Sequence, residues 1–241
     1  MSGPYFLLRD VRTQGLQRVT RTEALDAARL HVGLTHLLGL EPERVAERIA
    51  ELPWVAEAEV ERQLPDQVTV RVRERVAAAV VMGMPGGPML TDAYGARFAP
   101  PEQPSDLDLP AITGLDEHTI DARLSVALAA IREWRRQGVE ALDLLSEVHV
   151  DPTLGVTLYT LTHGTAIRVG GDGLAVRLAR VRTVLEEVRR RGERADYVLA
   201  DDERDRDRIV VRAIAGVSPM EAEFAPMDAQ GRRKNANGKQ G

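Results

Sequence analysis

The chain has 241 residues, a length that suits one large domain or two small ones. Apolar residues make up 44% of it and charged residues 29%, a globular composition that excludes disorder throughout the chain. The net charge of −5 argues against a protein that binds nucleic acid, because such proteins need a basic surface. The chain has no cysteine, which excludes disulfides, thiolate metal ligands and a cysteine nucleophile.

The first part of the chain predicts an extended stretch and two helices. The extended stretch is expected around residues 6–13. Thr20 and Glu23 have the spacing of a capping box, in which each side chain bonds to the backbone N–H of the other residue at the start of a helix. A second helix is predicted to begin at Pro42, which suits a first turn, and to stop before Pro53.

Two strands are predicted to complete this first segment. Apolar and polar residues alternate in residues 54–61 and again in residues 68–73, with a turn at residues 64–67. Residues 5–75 therefore predict a small α+β domain with the element order β-α-α-β-β.

The second segment, residues 76–219, predicts a larger mixed β domain with flanking helices. Short apolar runs predict strands at residues 77–82, 89–91, 148–150, 156–161, 166–169, 197–200 and 209–214. Two apolar stripes at helical spacing predict helices, one through Leu124, Leu128, Ile131 and Trp134 and one through Leu174, Leu178, Val181, Leu185 and Val188. Asp172 is the expected cap of the second helix. Residues 100–110, rich in proline and aspartate, predict a loop, and residues 220–241 a disordered basic tail.

A search for catalytic or metal-binding motifs finds no strong candidate. The five histidines have no metal-ligand spacing, and no serine lies in a nucleophile-elbow motif. Residues 170–173, Gly-Gly-Asp-Gly, are similar to a phosphate-binding nest, but a tight turn before a helix is the favoured interpretation. The charged residues 201–208 favour a solvated hairpin tip over a pair of catalytic carboxylates. We therefore predict no catalytic residue, metal or cofactor.

The last predicted strand offers a different kind of site. Ile209, Val210 and Val211 are strongly β-forming residues. If this strand lies at a sheet edge, its unpaired N–H and C=O groups can pair with a strand of another protein. The sequence pattern alone leaves an internal and an edge position equally open.

Several strings, taken in order, resemble the FtsQ/DivIB family of cell division proteins, in which a POTRA domain precedes a β domain. They are Glu51–Val55, Val60–Asp66, Val68–Arg75 with Ala77–Ala79, Leu90–Phe98, Leu109–Gly114 and Ile167–Gly171. The chain departs from the family pattern at Ala78, where proline is usual, and after Tyr197-Val198, where Asp-Leu-Arg is common. A tryptophan that some relatives use near the end of the last strand is replaced here by Arg212 or Ala213.

The resemblance implies a non-enzymatic scaffold of the division machinery, anchored in the inner membrane with its bulk in the periplasm. A transmembrane anchor would be expected before Tyr5. The implied partners are FtsB and FtsL, bound at the final strand and its flanks, together with other division proteins contacted through the POTRA domain. Carried onto this sequence, the partner-binding residues are Tyr197, Asp201, Asp202, Ile209, Val210, Val211, Arg212 and Ala213.

Two other functions remain open at this point. The first is a periplasmic POTRA module for outer-membrane protein insertion or polypeptide secretion. A single POTRA unit without barrel strands at the end of the chain argues against it. The second is an enzyme acting on cell-wall polymers, which no residue constellation supports.

Overall fold

A computed structural model describes residues 4–116, 118–202 and 208–215. The predicted tail at residues 220–241 and the tip of the charged hairpin lie outside the described residues. The fold is α+β, as predicted, and its contacts group into two compact units. The first takes in the chain up to Ala129 together with Val148–Val150, and the second takes in Ala130–Glu147 and the chain from Asp151 onward.

The POTRA-type part of the first unit has the predicted order β-α-α-β-β. Its elements are β1 (Asp10–Gln14), α1 (Arg21–Ala28), α2 (Pro42–Ala50), β2 (Val55–Gln63) and β3 (Gln67–Glu74). The strands form a sheet in the order β1-β3-β2, with β1 parallel and β2 antiparallel to β3. The first strand begins later than expected, because residues 4–6 form a short 3-10 turn.

Local sequence signals account for this part of the fold. The capping box is present: the Glu23 amide donates to the Thr20 hydroxyl at 3.2 Å, and the Thr20 amide donates to the Glu23 carboxylate at 2.8 Å. Val45 and Ile49, on the apolar stripe of α2, are buried against the sheet residues Val68 and Val70 in one core. The two helices therefore cover one face of the three-stranded sheet.

The remainder of the first unit contains four short strands, which do not belong to the three-stranded sheet. They are β4 (Ala77–Val81), β5 (Met89–Asp92), β6 (Arg97–Ala99) and β7 (Ala111–Thr113), arranged in the order β7-β4-β5-β6. Three-residue β7 was not predicted as a strand. The predicted loop at residues 100–110 contains a 3-10 turn at Pro104–Asp108, in which Asp106 is buried.

Two further elements, α3 (Ile120–Arg136) and β8 (Leu145–Asp151), contribute residues to both units. The predicted stripe of α3, from Leu124 to Trp134, is buried. Gly138 follows α3 with a φ of 71°, the left-handed conformation that favours glycine after a helix.

The second unit carries the end of the fold. Its own elements are β9 (Gly155–Thr160), β10 (Ala166–Gly170), α4 (Leu174–Arg190), β11 (Glu193–Leu199) and β12 (Val210–Ala215). The strands lie in the order β12-β11-β10-β9, and α4 connects the parallel strands β10 and β11. The prediction that Asp172 caps α4 was wrong: Gly173, with a φ of 65°, is the cap residue, and Asp172 forms an ion pair with Arg177 instead.

Candidate partner-binding edge

The terminal strand β12 pairs on one side with β11. The two strands are antiparallel, and Val198 lies opposite Val211 while Leu199 lies opposite Val210. Within the part of the chain that the structure describes, no strand pairs with the other side of β12. Alternate residues of an edge strand point their N–H and C=O groups away from the sheet, so β12 presents unpaired backbone groups to a partner.

The register divides the side chains of this hairpin between two faces of the sheet. Val211 shares a face with its cross-strand neighbour Val198, and Arg212 shares the opposite face with Tyr197. Val198 is fully buried, whereas Val210 and Val211 are each 37% exposed and Arg212 and Ala213 are exposed. The sheet therefore becomes more exposed from β11 to β12.

A bulge shapes the middle of this edge. The register shifts between Ala195 and Tyr197, which leaves Asp196 as the extra residue of β11. The Asp196 carboxylate lies 3.7 Å from Nε of Arg212 on the neighbouring strand. Bulges increase the local twist of a strand pair, and here an ion pair spans the bulge.

An ion pair also holds the base of the hairpin. The carboxylate of Asp201 lies 2.5 Å from Nε of Arg168 on β10, and the backbone N–H of Ala200 donates to the carbonyl of Arg168 at 2.9 Å. Asp202 lies 3.9 Å from Arg208 across the hairpin. Asp201 is therefore tied to β10 just after the end of β11, whereas Asp202 makes a long and partly exposed ion pair with Arg208.

The Gly-Gly-Asp-Gly segment beside this base is a tight turn packed against a buried arginine. Arg177 is 6% exposed, and its guanidinium donates to the carbonyl of Val169 at 2.6 Å. A Cβ at Gly170, whose φ is 70°, would lie 2.5 Å from that guanidinium and 3.3 Å from the Cβ of Asp201. The guanidinium of Arg177 thus packs directly against the glycines of this turn.

Elsewhere in the second unit, a buried carboxylate joins two loops. Asp143 accepts hydrogen bonds from the backbone N–H of Thr162 at 2.9 Å and from Nδ1 of His163 at 2.7 Å. Burial raises the pKa of Asp143, but these hydrogen bonds outweigh burial and hold the pKa below its ordinary value. Among the described residues, no group of three or more His, Asp or Glu side chains is placed to hold a metal ion.

The structure brings the predicted partner-binding residues into one hairpin. Tyr197 lies on β11, Asp201 and Asp202 follow it, Ile209 immediately precedes β12, and the residues from Val210 to Ala213 lie on it. Sequence reasoning missed Arg168 and Asp196, the ion-pair partners within this hairpin and its base. Arg168 lies within the family string Ile167–Gly171, but nothing along the chain marks it or Asp196 as an ion-pair partner, because each pairs across strands.

The described residues thus form a POTRA-type unit followed by a mixed β domain whose terminal strand is paired on one side. The family model "POTRA domain, FtsQ-type" matches residues 6–75, and "Cell division protein FtsQ/DivIB, C-terminal" matches residues 79–200. The chain therefore belongs to the FtsQ/DivIB family and has a role in cell division.

Three relatives illustrate this similarity, and each is named Cell division protein FtsQ. The protein of Anaeromyxobacter sp. (strain K) is 36% identical over 87% of this chain and 72% of its own length. The Syntrophotalea carbinolica protein is 33% identical over 88% of this chain and 76% of its own length. The Mycobacterium leprae protein is 32% identical over 71% of this chain and 48% of its own length. These matches support the family resemblance over the outer-membrane insertion alternative.

Proposed function

We propose that the protein is a non-enzymatic scaffold of the division machinery that binds the FtsB/FtsL pair by strand addition to β12. The observation that carries this proposal is the one-sided pairing of β12 in its sheet. A partner strand placed along the free side would continue the ladder through backbone hydrogen bonds. Because those bonds do not depend on side chains, the mechanism tolerates the departures from the family pattern at Arg212 and Ala213.

Side chains around the edge would set the register and strength of binding. A partner strand would cover the exposed parts of Val210 and Val211, which supply apolar surface on opposite faces. Tyr197 and Arg212 form the cross-strand pair next to Val198 and Val211, and a partner side chain can reach them there. Asp201 and Asp202 would act by holding the start of β12 in place.

The proposal includes a location at the inner membrane, with the bulk of the protein in the periplasm. The relatives' role in division supports this location. None of the helices in the described ranges is long and apolar enough to cross a bilayer. Membrane association of this chain is therefore part of the proposal.

A proline scan through residues 210–213 tests the mechanism. Proline removes one backbone donor at each position, and neighbouring residues of a strand point their donors in opposite directions. The two variants whose lost N–H points away from β11 should lower the affinity for FtsB/FtsL by at least about 10-fold. Their thermal midpoints of unfolding should change little. The other pair should lower the thermal midpoint, because it breaks bonds to β11.

The control is a proline in the exposed turn after β8, Thr153→Pro, which should leave binding unchanged if that variant folds. Binding is measured by calorimetry with the FtsB/FtsL pair, and folding by circular dichroism. If all four strand variants stay folded and bind as the parent does, strand addition at β12 is wrong.

A further inference from the structure

Four exposed apolar side chains lie on two bonded segments of the POTRA-type part, far along the chain from the strand-addition edge. Tyr5 is 80% exposed, Val32 55%, Leu34 79% and Leu38 54%. We call these four residues the apolar loop patch. Large apolar side chains exposed in a group mark interaction surfaces more often than single exposed ones do.

Backbone contacts bring the two parts of the apolar loop patch together. The N–H of Gly33 donates to the carbonyl of Leu8 at 2.7 Å, and the N–H of Leu8 donates to the carbonyl of Thr35 at 2.9 Å. Leu7 and His36 form an isolated bridge. The segment that carries Tyr5 is therefore fixed against the loop that carries Val32, Leu34 and Leu38.

The loop that carries most of the patch contains no acidic residue, although Asp26 precedes it and Glu41 follows it. Residues 27–40 contain no aspartate or glutamate, although the whole chain contains 37 of them. The same stretch contains Arg29, and Arg9 follows the segment bonded to the loop. Both arginines are exposed, and neither side chain forms an ion pair with a described residue. A partner surface for this loop would thus carry negative charge.

The exposed turn that carries Leu34 suits insertion into a lipid surface. Leu34 lies in a tight turn that begins at His31, and a Cβ added at Gly33 would meet no atom within 4 Å. The turn therefore has open space beside Gly33, next to the exposed side chains of Val32 and Leu34. Insertion of such side chains below headgroup level, with cations at the level of anionic headgroups, is the way peripheral proteins bind bilayers. An exposed tyrosine also suits the bilayer interface.

We propose that the apolar loop patch inserts into the surface of an anionic bilayer. This contact goes beyond strand addition at β12 and uses other residues. It would hold the POTRA-type part against the membrane independently of any anchor.

Vesicle flotation with the full chain tests this proposal. The vesicles are equimolar phosphatidylglycerol and phosphatidylcholine, with pure phosphatidylcholine for comparison. The parent protein should float with the anionic vesicles, and Leu34→Ser should lower its partition coefficient about 10-fold. Arg9→Gln with Arg29→Gln should lower binding to the anionic vesicles and weaken the dependence of binding on salt.

Leu161→Ser is the matched control, because Leu161 is also exposed, at 60%, and lies in the second unit. It should float as the parent does, and all variants should keep the parent's circular dichroism spectrum. The inference is overturned if the parent does not float, or if Leu34→Ser and Leu161→Ser float equally. It is also overturned if sedimentation shows that the parent is a dimer and that the only effect of Leu34→Ser is to make it a monomer. Because the vesicles contain no protein, none of these outcomes depends on FtsB/FtsL binding.

Discussion

The guanidinium of Arg18 donates one hydrogen bond from each terminal nitrogen to the two carboxylate oxygens of Asp106, both at 3.0 Å. The same guanidinium lies 3.9 Å above the ring of Trp54, which makes an edge-on contact with Phe98 at 5.0 Å. Residues 6–75 match the POTRA model, whereas Phe98 and Asp106 belong to the matched C-terminal region. The first compact unit therefore includes both sides of the boundary at residue 75 that the sequence suggested.

Removing the Arg18 side of this contact should destabilise the first unit. The side chain of Asp106 is 6% exposed, so Arg18→Met leaves a buried carboxylate without its charged partner. We expect a loss of about 3 kcal/mol in the free energy of unfolding, measured by urea denaturation. The unfolding free energy of Arg18→Lys should lie between those of the parent and of Arg18→Met. Lysine keeps the charge but cannot make the bidentate hydrogen bond. Equal stability of all three proteins would contradict this account.

Acid should weaken the same contact. Hydrogen bonds from Arg18, with further bonds from the backbone at Gln103 and Glu102, outweigh burial and lower the pKa of Asp106 from 3.8 to about 2. A carboxyl with a lowered pKa stabilises the folded state above its unfolded pKa, and that stability is lost as the pH falls toward the folded pKa. The unfolding free energy should therefore decrease between pH about 4 and 2.

Asp106→Asn provides the comparison for this acid effect. Its side chain has the same shape but does not titrate, so the variant should be less stable at neutral pH. The difference in unfolding free energy between the parent and Asp106→Asn should become smaller as the pH falls from about 4 to 2. A constant difference down to pH about 2 would show that ionisation of Asp106 contributes nothing.

Close backbone packing between β9 and the end of β10 leads to a prediction about glycine. A Cβ at Gly155 would lie 2.4 Å from the carbonyl carbon of Gly170, and the φ of Gly155 is 75°. Gly164 has a similar φ of 65°, but a Cβ there would meet nothing within 4 Å. Both alanine variants lose the conformational freedom of glycine, and only Gly155→Ala adds a clash with backbone.

Gly155→Ala should therefore cost about 2 kcal/mol more than Gly164→Ala in thermal or urea unfolding. It should also weaken FtsB/FtsL binding if the turn at residues 170–173 supports the base of the hairpin. Similar stabilities for the two variants would mean that the backbone of β9 moves away from Gly170 without cost.

The features that the sequence predicted depend on residues near one another in the chain. The capping box at Thr20 and Glu23 and the alternation in β2 and β3 are of this kind. Asp106 and Arg18 are 88 residues apart, and neither has a local pattern that indicates burial. The expected cap at Asp172 failed because Arg177, one turn into α4, competes for its carboxylate. The sequence could place the strongly β-forming terminal strand, but only the strand order assigned it to the edge.

The ion pair between Arg168 and Asp201 should control how β12 is presented to its partner. The two side chains are 34% and 17% exposed, and they join the middle strand β10 to the start of the hairpin. Arg168→Gln, Asp201→Asn and the double variant form a cycle that isolates their interaction. We expect a coupling of about 1 kcal/mol in the unfolding free energy, since the pair is partly screened by solvent.

Binding should change together with stability in this cycle. Each single variant frees the start of β12, so hydrogen exchange at residues 209–211 should speed up and FtsB/FtsL affinity should fall about 5-fold. The double variant should bind about as weakly as either single variant, because the contact is already lost in both. Arg190→Gln is the control, since its ion pair with Glu187 at the end of α4 is exposed and lies away from the hairpin base. If Asp201→Asn speeds up hydrogen exchange at residues 209–211 but does not lower the affinity for FtsB/FtsL, that affinity does not depend on how β12 is held before binding.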